Sequence, residues 1–229
     1  MSKLKTNKLQ HTAAGSTEFT LPTTDGNDGQ FMKTNGSGAL SFATPVTGNL
    51  NSLQVLEQFY VPCDGTSVVT NKGTVSIGNV MSTQTLETTW ADVTGSEISY
   101  QPPDNTKIVI YKFTMAGFYH SADPICYGYI YLDNVAVSDH PFTQRADDHV
   151  EVVTWEHAFR IEPNLTASAA TGRVQTWNAA RTIKIKARDH STSYHSRLHY
   201  LQNASAPNST TNTSLNCRPK IGITAIGSV

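Results

Sequence analysis

The sequence predicts an all-β protein: an antiparallel jelly-roll sandwich, preceded by a short, irregular β-rich segment. Charged residues make up only 15% of the chain, and Thr, Ser and Asn supply much of its polarity. That composition suits pleated strands and turns better than solvated helices. After residue 58, eight or nine short apolar-rich runs follow one another, separated by Gly, Pro, Asn and Asp clusters. No run has the length and period of a long helix, so a sandwich of short strands is expected.

Residues 1–58 are predicted to form an attachment or stalk segment. In "LPTTDGNDGQFMKTNGSGALSF", Asp-Gly and Asn-Gly pairs predict tight turns, because these residues adopt positive φ at low cost. The short strands between the turns cannot bury a core of their own. We therefore expect another surface to cover the apolar residues of this segment. Those residues are Leu21, Phe31, Leu40 and Phe42.

The stretch "VTGNLNSLQVLEQF" allows one short amphipathic helix. Val46, Leu50, Leu53 and Tyr60 have a 4-3-7 spacing, which places them on one helical face. Such a helix could form the neck of a trimer. The alternatives are a helix that packs on its own domain and no helix at all, since two turns are marginal in isolation.

Residues 59–229 are predicted to form the jelly-roll knob. In "TIKIKARD" apolar and basic residues alternate strictly, which predicts a strand with one buried face. The stretches "YGYIYLDNVAV" and "KIVIYKFTM" instead carry apolar or aromatic residues on both faces. A monomeric sandwich leaves one face of each sheet in water, so two-faced strands indicate burial between subunits.

Charge and hydropathy make several classes of partner poor candidates. The formal net charge is -1, so no basic excess favours nucleic acid or an anionic membrane. No apolar run is long enough to span a bilayer, and the N-terminus lacks the apolar core of a signal peptide. We therefore expect a soluble product of the cytoplasm. Cys63, Cys126 and Cys217 follow no metal-ligand spacing and are odd in number, which predicts buried or idle thiols.

Eight histidines raise the possibility of a metal site. His190, His195 and His199 lie close together in the sequence, yet nothing in their spacing makes three side chains converge on one point. Structural or surface histidines are the simpler interpretation. The run "ADDH" at residues 146–149 could contribute to a calcium site or form a solvated turn. We expect no metal and no other cofactor.

Catalytic motifs give no better signal. The sequence has no Gly-x-Ser-x-Gly elbow, and its Gly-rich "NGSG" lacks the Gly-Lys-Ser/Thr ending of a phosphate loop. Carboxylate pairs such as Asp147 and Asp148 are available for glycoside cleavage, but no β-helix repeat accompanies them. A non-enzymatic protein is therefore expected.

Five blocks of the sequence stand out together: "FTLPTTDGNDGQFMKTNGSGALSF", "LEQFYVPCDGTSVVTNKGTVSIGNV", "TTWADVTGSEISYQPPDNTKIVIYKFTM", "RTIKIKARDHSTSYHSRLHY" and "RPKIGITAIG". They resemble segments of bacteriophage tail-fibre and other virion appendage proteins, especially those of marine phages. The later blocks are similar to a phage structural module related to the trimeric jelly rolls of the C1q and tumour-necrosis-factor type. The similarity covers residues 17–229, and the chain departs from it at "NASAPNSTTNTSLNC", where related chains tend to be more aromatic.

The resemblance implies a virion structural protein that is made in the cytoplasm of the host bacterium and assembles as a homotrimer. Its N-terminal segment would dock onto other virion proteins, and its knob would contact a host surface glycan or protein. Several weak sites would then act together through avidity. One alternative is a capsid decoration or head-fibre protein that stabilises the head. A further alternative is a glycan depolymerase.

Loops rich in Asn, Thr and aromatic residues suit the hydroxyl groups of sugars. The alternative for each aromatic residue is a place in the core or in a trimer interface, where aromatic side chains contribute most to packing. The candidate host-contact residues are Tyr119, His120, Asn164, Trp177 and Tyr194.

Overall fold

The structure is a computed structural model, and it describes residues 6–10, 15, 18–43, 53–117, 125–145, 151–193, 195–200 and 217–228. The chain divides into two compact units, Met1–Ser52 and Leu53–Val229. All regular elements in the described ranges are β-strands or short β-bridges, so the predicted all-β class is confirmed. Within these ranges, no helix has the length and apolar character needed to cross a membrane.

In the first unit, the described residues form two small antiparallel pairs. Strand β1 (Lys8–Gln10) pairs with β2 (Glu18–Thr20), and β3 (Phe31–Thr34) pairs with β4 (Leu40–Ala43). The turn between β3 and β4 is organised by Asn35, whose Oδ1 accepts hydrogen bonds from the backbone of Ser37 (2.9 Å) and Ala39 (3.0 Å). Gly36 has a φ of 82°, which is open to glycine at no steric cost. The Asn-Gly signal therefore marks a true chain reversal.

The described residues of the second unit form fourteen strands. They are β5 (Gln54–Pro62), β6 (Ser67–Thr70), β7 (Gly73–Ser76), β8 (Gln84–Thr85), β9 (Ala91–Asp92), β10 (Ile98–Tyr100), β11 (Thr106–Gly117), β12 (Ile125–Leu132), β13 (Val135–Ala136), β14 (Phe142–Arg145), β15 (Glu151–Arg160), β16 (Arg181–Asp189), β17 (Arg197–Leu198) and β18 (Lys220–Gly227).

Strand β5 occupies the stretch in which a short helix was possible. It pairs with β18 along its length, from Gln54 opposite Gly227 to Pro62 opposite Lys220, so the alternative without a helix holds from Gln54 onward. Phe59 packs against the core, and the strand pairing outweighs a weak helical pattern. Residues 46–52 of that expectation lie outside the described residues. The predicted domain boundary at residue 58 falls inside this strand.

Most strands belong to two antiparallel sheets. The first sheet has the order β5-β18-β11-β15, and β17 and β8 extend it at the far end of β11. The second sheet has the order β10-β16-β12-β14, with β9 beside β16 and β13 beside β12. Strands β6 and β7 form a separate hairpin. The eight main strands in chain order are β5, β10, β11, β12, β14, β15, β16 and β18. When they are numbered one to eight in that order, the first sheet has the order one-eight-three-six and the second has the order two-seven-four-five.

The hydrophobic core contains the inward residues of both sheets. Strand β12 alternates without interruption: Cys126, Ile130 and Leu132 are buried, while the tyrosines between them are partly exposed. Full burial of each large apolar side chain contributes about 1.5–3 kcal/mol. The largest fully buried side chains on the two sheets are Tyr111, Phe113, Met115, Phe159 and Leu198 on the first and Ile98, Tyr100, Ile130, Ile183 and Ile185 on the second.

Two of the three cysteines belong to this core. Cys63 and Cys126 are fully buried, Cys217 is partly exposed, and all three are free thiols. Burial, with a smaller effect of the Asp64 carboxylate, raises the pKa of Cys63 to about 12. Because only a thiolate is nucleophilic, Cys63 is inert at neutral pH. The prediction of buried or idle thiols is confirmed for Cys63 and Cys126.

Candidate functional site

The predicted host-contact residues do not come together as one described site. Tyr119, His120 and Tyr194 lie outside the described residues. Asn164 is exposed, in the loop that follows β15.

Trp177 is a core residue, so its prediction as a surface contact is wrong in this structure. Its side chain is only 4% exposed and packs edge-on against Phe159, with 5.7 Å between the ring centroids. The indole Nε1 donates a 3.0 Å hydrogen bond to the carbonyl oxygen of Tyr100. Once its single donor is satisfied, a large apolar ring is more stable in the core than in water. The alternative interpretation of these aromatic residues therefore holds for Trp177.

The predicted attachment residues differ in how far the first unit covers them. Phe31 is 48% exposed, whereas Leu21, Leu40 and Phe42 are partly buried. The ring of Phe42 lies against Gly26, where a Cβ atom would come within 2.6 Å of the ring carbon Cδ1. The unit therefore covers Phe42 in part by itself and leaves Phe31 in solvent.

The outer face of the second sheet carries a row of tyrosines beside a row of basic residues. In the antiparallel register of β12 and β16, Tyr127 lies opposite Arg188, Tyr129 opposite Lys186 and Tyr131 opposite Lys184. Both strands alternate with a period of two, so all six side chains project to the same side of the sheet. We name this surface the Tyr–cation face. Its residues are Trp90, Asp92, Glu97, Tyr127, Tyr129, Tyr131, Lys184, Lys186, Arg188 and His190.

The two lysines of the Tyr–cation face are compensated by carboxylates. Lys184 Nζ lies 3.1 Å from Asp92 Oδ2 and 3.8 Å from Glu97 Oε2. Lys186 Nζ lies 3.7 Å from Asp92 Oδ1 and 5.3 Å from the centroid of the Tyr131 ring. These charges are largely neutralised within the face.

Arg188 has a different environment. Its guanidinium carbon lies 5.3 Å from the centroid of the Trp90 ring and 5.6 Å from that of Tyr127. No carboxylate of the described residues lies within 4.0 Å of it, and the buried Nε atom has no hydrogen-bond partner among them. Tyr127 is in turn oriented by His190, with 3.3 Å between the phenol oxygen and Nδ1. The guanidinium thus lies beside two aromatic rings and has no counter-ion among the residues that the structure describes.

This face was not predicted from the sequence, although both of its strands were. The tyrosines of "YGYIYL" and the cations of "KIKAR" alternate visibly, but nothing local shows that the two runs are neighbours in one sheet. No sequence pattern indicated that Trp90 belongs to this face, because the residue lies outside the strands, directly before β9.

Asp189, His195 and Ser196 are the described residues that come nearest to a catalytic constellation. Ser196 Oγ donates a 2.6 Å hydrogen bond to Asp189 Oδ1, and Ser196 is fully buried. His195 Nδ1 lies 3.6 Å from Asp189 Oδ2 and 3.0 Å from the Leu86 carbonyl oxygen. A nucleophilic serine needs an exposed hydroxyl that donates to a base such as histidine. This arrangement is a buried polar network instead, and burial raises the pKa of Asp189.

The histidines that the structure describes do not converge on one point. Among the described residues, no group of three or more His, Cys, Asp or Glu side chains is placed to hold a metal ion. His190 is exposed and His199 is fully buried, so the two do not share a site. The run "ADDH" lies outside the described residues.

No protein-family model matches this chain, and no curated protein matches it significantly. A functional proposal therefore depends on the sequence, the fold and the geometry of the exposed faces.

Proposed function

We propose that this chain is a non-enzymatic structural protein of a bacteriophage virion, a homotrimeric fibre or fibre-like appendage whose knob binds the surface of the host cell. The observation that carries the proposal is the strand order of the two sheets, one-eight-three-six and two-seven-four-five. Two interlocked four-stranded antiparallel sheets in this order are characteristic of a jelly roll. A trimeric jelly roll is the architecture that the resemblance to phage appendage modules implies.

The outer face of the first sheet supports the homotrimer. Val55 on β5 is 55% exposed, and it pairs with Ile226 of β18, which in turn pairs with Ile108 of β11. Ile108, Ile110 and Ile226 lie on the same face and are only partly buried. Apolar residues gathered on one exposed sheet face are typical of a surface that a partner covers. Sister chains would bury this face in a trimer.

The first unit supports attachment to a larger particle. Leu9, Phe19, Phe31 and Met32 are exposed apolar residues in a unit whose described part forms four short strands. Two-stranded pairs are marginal without a further surface to pack on. Other virion proteins or sister chains would supply that surface.

The Tyr–cation face supports host binding, and it takes the place of Trp177 as the proposed contact surface. Aromatic rings offer apolar faces to sugar rings, and the surrounding polar groups suit sugar hydroxyls. Three copies on one trimer, and several trimers on one particle, would convert weak individual affinity into stable attachment.

The second candidate is a capsid decoration or head-fibre protein. The exposed apolar residues of the first unit favour it equally, because they would suit insertion among capsid subunits as well as docking to a tail. Under this alternative the sandwich stabilises or decorates the head and does not bind the host.

Localisation on the particle tests the proposal. Gold-labelled antibodies raised against residues 53–229 should mark fibres or appendages of the virion in electron micrographs. Label spread over the capsid lattice would favour the second candidate, and particles without label would overturn both. Light scattering of the purified protein should give three times the 24.9 kDa chain mass. A monomer mass at micromolar concentration would overturn the trimer.

A further inference from the structure

We infer that the Tyr–cation face binds an acidic carbohydrate, with Arg188 contacting the carboxylate or phosphate group and Trp90 stacking on an adjacent sugar ring. This inference rests on the proposed function, because it names the ligand class of the proposed host contact.

The charge balance of the face places the anion at Arg188. Asp92 and Glu97 lie beside the two lysines, so the lysines already have counter-ions. The Arg188 guanidinium has none among the described residues, and its Nε atom is buried without a hydrogen-bond partner there. A cation without a counter-ion on an outer sheet face attracts anions, and the attraction is strongest at short range.

The chemistry of arginine suits carboxylate or phosphate. A guanidinium presents planar, paired donors that match two oxygens of either group. Trp90 and Tyr127 lie next to the guanidinium, with their ring centroids 5.3 and 5.6 Å from its carbon. Because the side chain is already oriented, less rotamer entropy is lost on binding. Lysine could not reproduce this contact, since its ammonium is a point charge without a stacking plane.

The neighbouring rings favour a carbohydrate carrier for the anion. Trp90 is 41% exposed and lies 5.5 Å from Tyr129 between ring centroids, at an interplanar angle of 42°. The two rings form an open apolar surface next to the cation. A pyranose ring can cover such a surface with its C–H groups while its acidic substituent reaches Arg188. A free inorganic anion would leave the aromatic surface unused.

Titration of the full-length protein with two acidic probes tests the inference. The probes are trigalacturonic acid, which carries carboxylates, and a trimer of glycerol phosphate, which carries phosphodiesters. Isothermal titration calorimetry should detect binding of at least one probe, and the stronger one identifies the acidic group. Binding should weaken as salt is raised, and the methyl ester of trigalacturonic acid should not bind.

Variants of the face locate the contact. Arg188→Gln should lower affinity for the bound probe at least tenfold, Arg188→Lys should lower it severalfold, and Trp90→Ala should do the same. Lys107→Gln is the matched control, because it removes a positive charge from an exposed position in β11 of the first sheet. It should bind as the unmodified chain does. Urea unfolding of each variant verifies that the fold is retained.

Several outcomes would overturn the inference. The inference would be overturned if neither acidic probe bound at millimolar concentration. It would also be overturned if Arg188→Gln bound the probe with unchanged affinity. Maltotriose, a neutral sugar, provides a further test. If the unmodified chain and Arg188→Gln bound it equally well, the ligand would be a glycan but not an acidic one. Failure of antibody labelling on particles would instead overturn the proposed virion function and leave the anion site standing.

Discussion

The phenol of Tyr111 donates a 2.6 Å hydrogen bond to the carbonyl oxygen of Ser96, and this bond joins the two sheets. Tyr111 lies on β11 of the first sheet, and Ser96 lies just before β10 of the second. Ser96 Oγ also accepts a 3.0 Å hydrogen bond from the backbone N–H of Ile185 on β16. Both Ser96 and Tyr111 are fully buried. The core is therefore held by a polar cross-link as well as by apolar packing.

Replacing Tyr111 by Phe should destabilise the sandwich. The change keeps the ring but leaves the buried Ser96 carbonyl without its donor, which costs about 1–3 kcal/mol of unfolding free energy. Urea unfolding followed by tryptophan fluorescence measures the loss. Tyr60→Phe is the control, because the Tyr60 ring lies exposed on the outer face of the first sheet. Equal stability of Tyr111→Phe and Tyr60→Phe would contradict the structural role of the cross-link.

His199 should make the protein less stable in mild acid. Its ring is fully buried edge-on to Phe113, and burial lowers its pKa to about 4 against a weak opposite effect of the Thr94 backbone. Its unfolded pKa is about 6.5. The unfolded chain therefore binds more protons than the folded one between these values, so stability falls as pH drops from about 6.5 to about 4. The total effect is up to about 3 kcal/mol.

The variant His199→Asn should flatten this pH dependence. Asn does not titrate, and it tolerates the φ of 59° that the backbone adopts at this position. Burial also lowers the pKa of His157, but that group is present in both proteins, so the difference between them isolates His199. The measurement is urea unfolding at a series of pH values. Parallel stability curves for the two proteins would show that His199 is not the source.

Much of the second unit was predictable because its strands show local periodicity. The predicted run "RTIKIKARD" coincides with β16, Arg181–Asp189, since strict alternation leaves one choice of buried face. The Asn-Gly turn at Asn35 was likewise predictable, because the required positive φ restricts the residue type.

The remaining features depend on residues that are distant in sequence. Tyr127 lies opposite Arg188 only because β12 and β16 are neighbours, and no local pattern encodes that pairing. Trp177 can be buried because its indole N–H donates a hydrogen bond to the carbonyl oxygen of Tyr100, which lies on β10 and is distant in sequence. In β5 the apolar spacing suits both helix and strand, and pairing with β18 decides between them. Local signals thus specify the strands, and tertiary contacts specify the site.

Phe31→Asp in the first unit should impair assembly without affecting the second unit. Phe31 is exposed, so a charge there costs little in the isolated chain but prevents burial against another protein. Phe42→Asp should also destabilise the first unit itself, because it removes the ring that lies against Gly26. Incorporation into particles is measured by immunoblot, and unfolding of the second unit by tryptophan fluorescence. Loss of stability in the second unit with either variant would contradict an attachment role.

Ile110→Lys should reduce the proposed trimer to monomers. The residue lies on the outer face of the first sheet, where a lysine in a subunit interface would bury an unpaired charge. Light scattering at micromolar concentration measures the mass. Ser99→Lys is the control, because Ser99 is exposed on β10 of the second sheet. A trimer mass for Ile110→Lys would exclude this face as the interface.

The turn between β12 and β13 should be sensitive to the residue at position 134. Asp133 and Asn134 have φ values of 49° and 66°, and Leu132 pairs with Val135, which is the geometry of a two-residue hairpin loop with two left-handed residues. Asn134→Val should cost roughly 1–2 kcal/mol of unfolding free energy, because a β-branched side chain clashes in this conformation. Asn134→Gly should be neutral or stabilising. Asp133 is unsuitable for this test, because its carboxylate also pairs with Arg181 at 3.0 Å. If urea unfolding gives the valine and glycine variants equal stability, the left-handed turn does not restrict this hairpin.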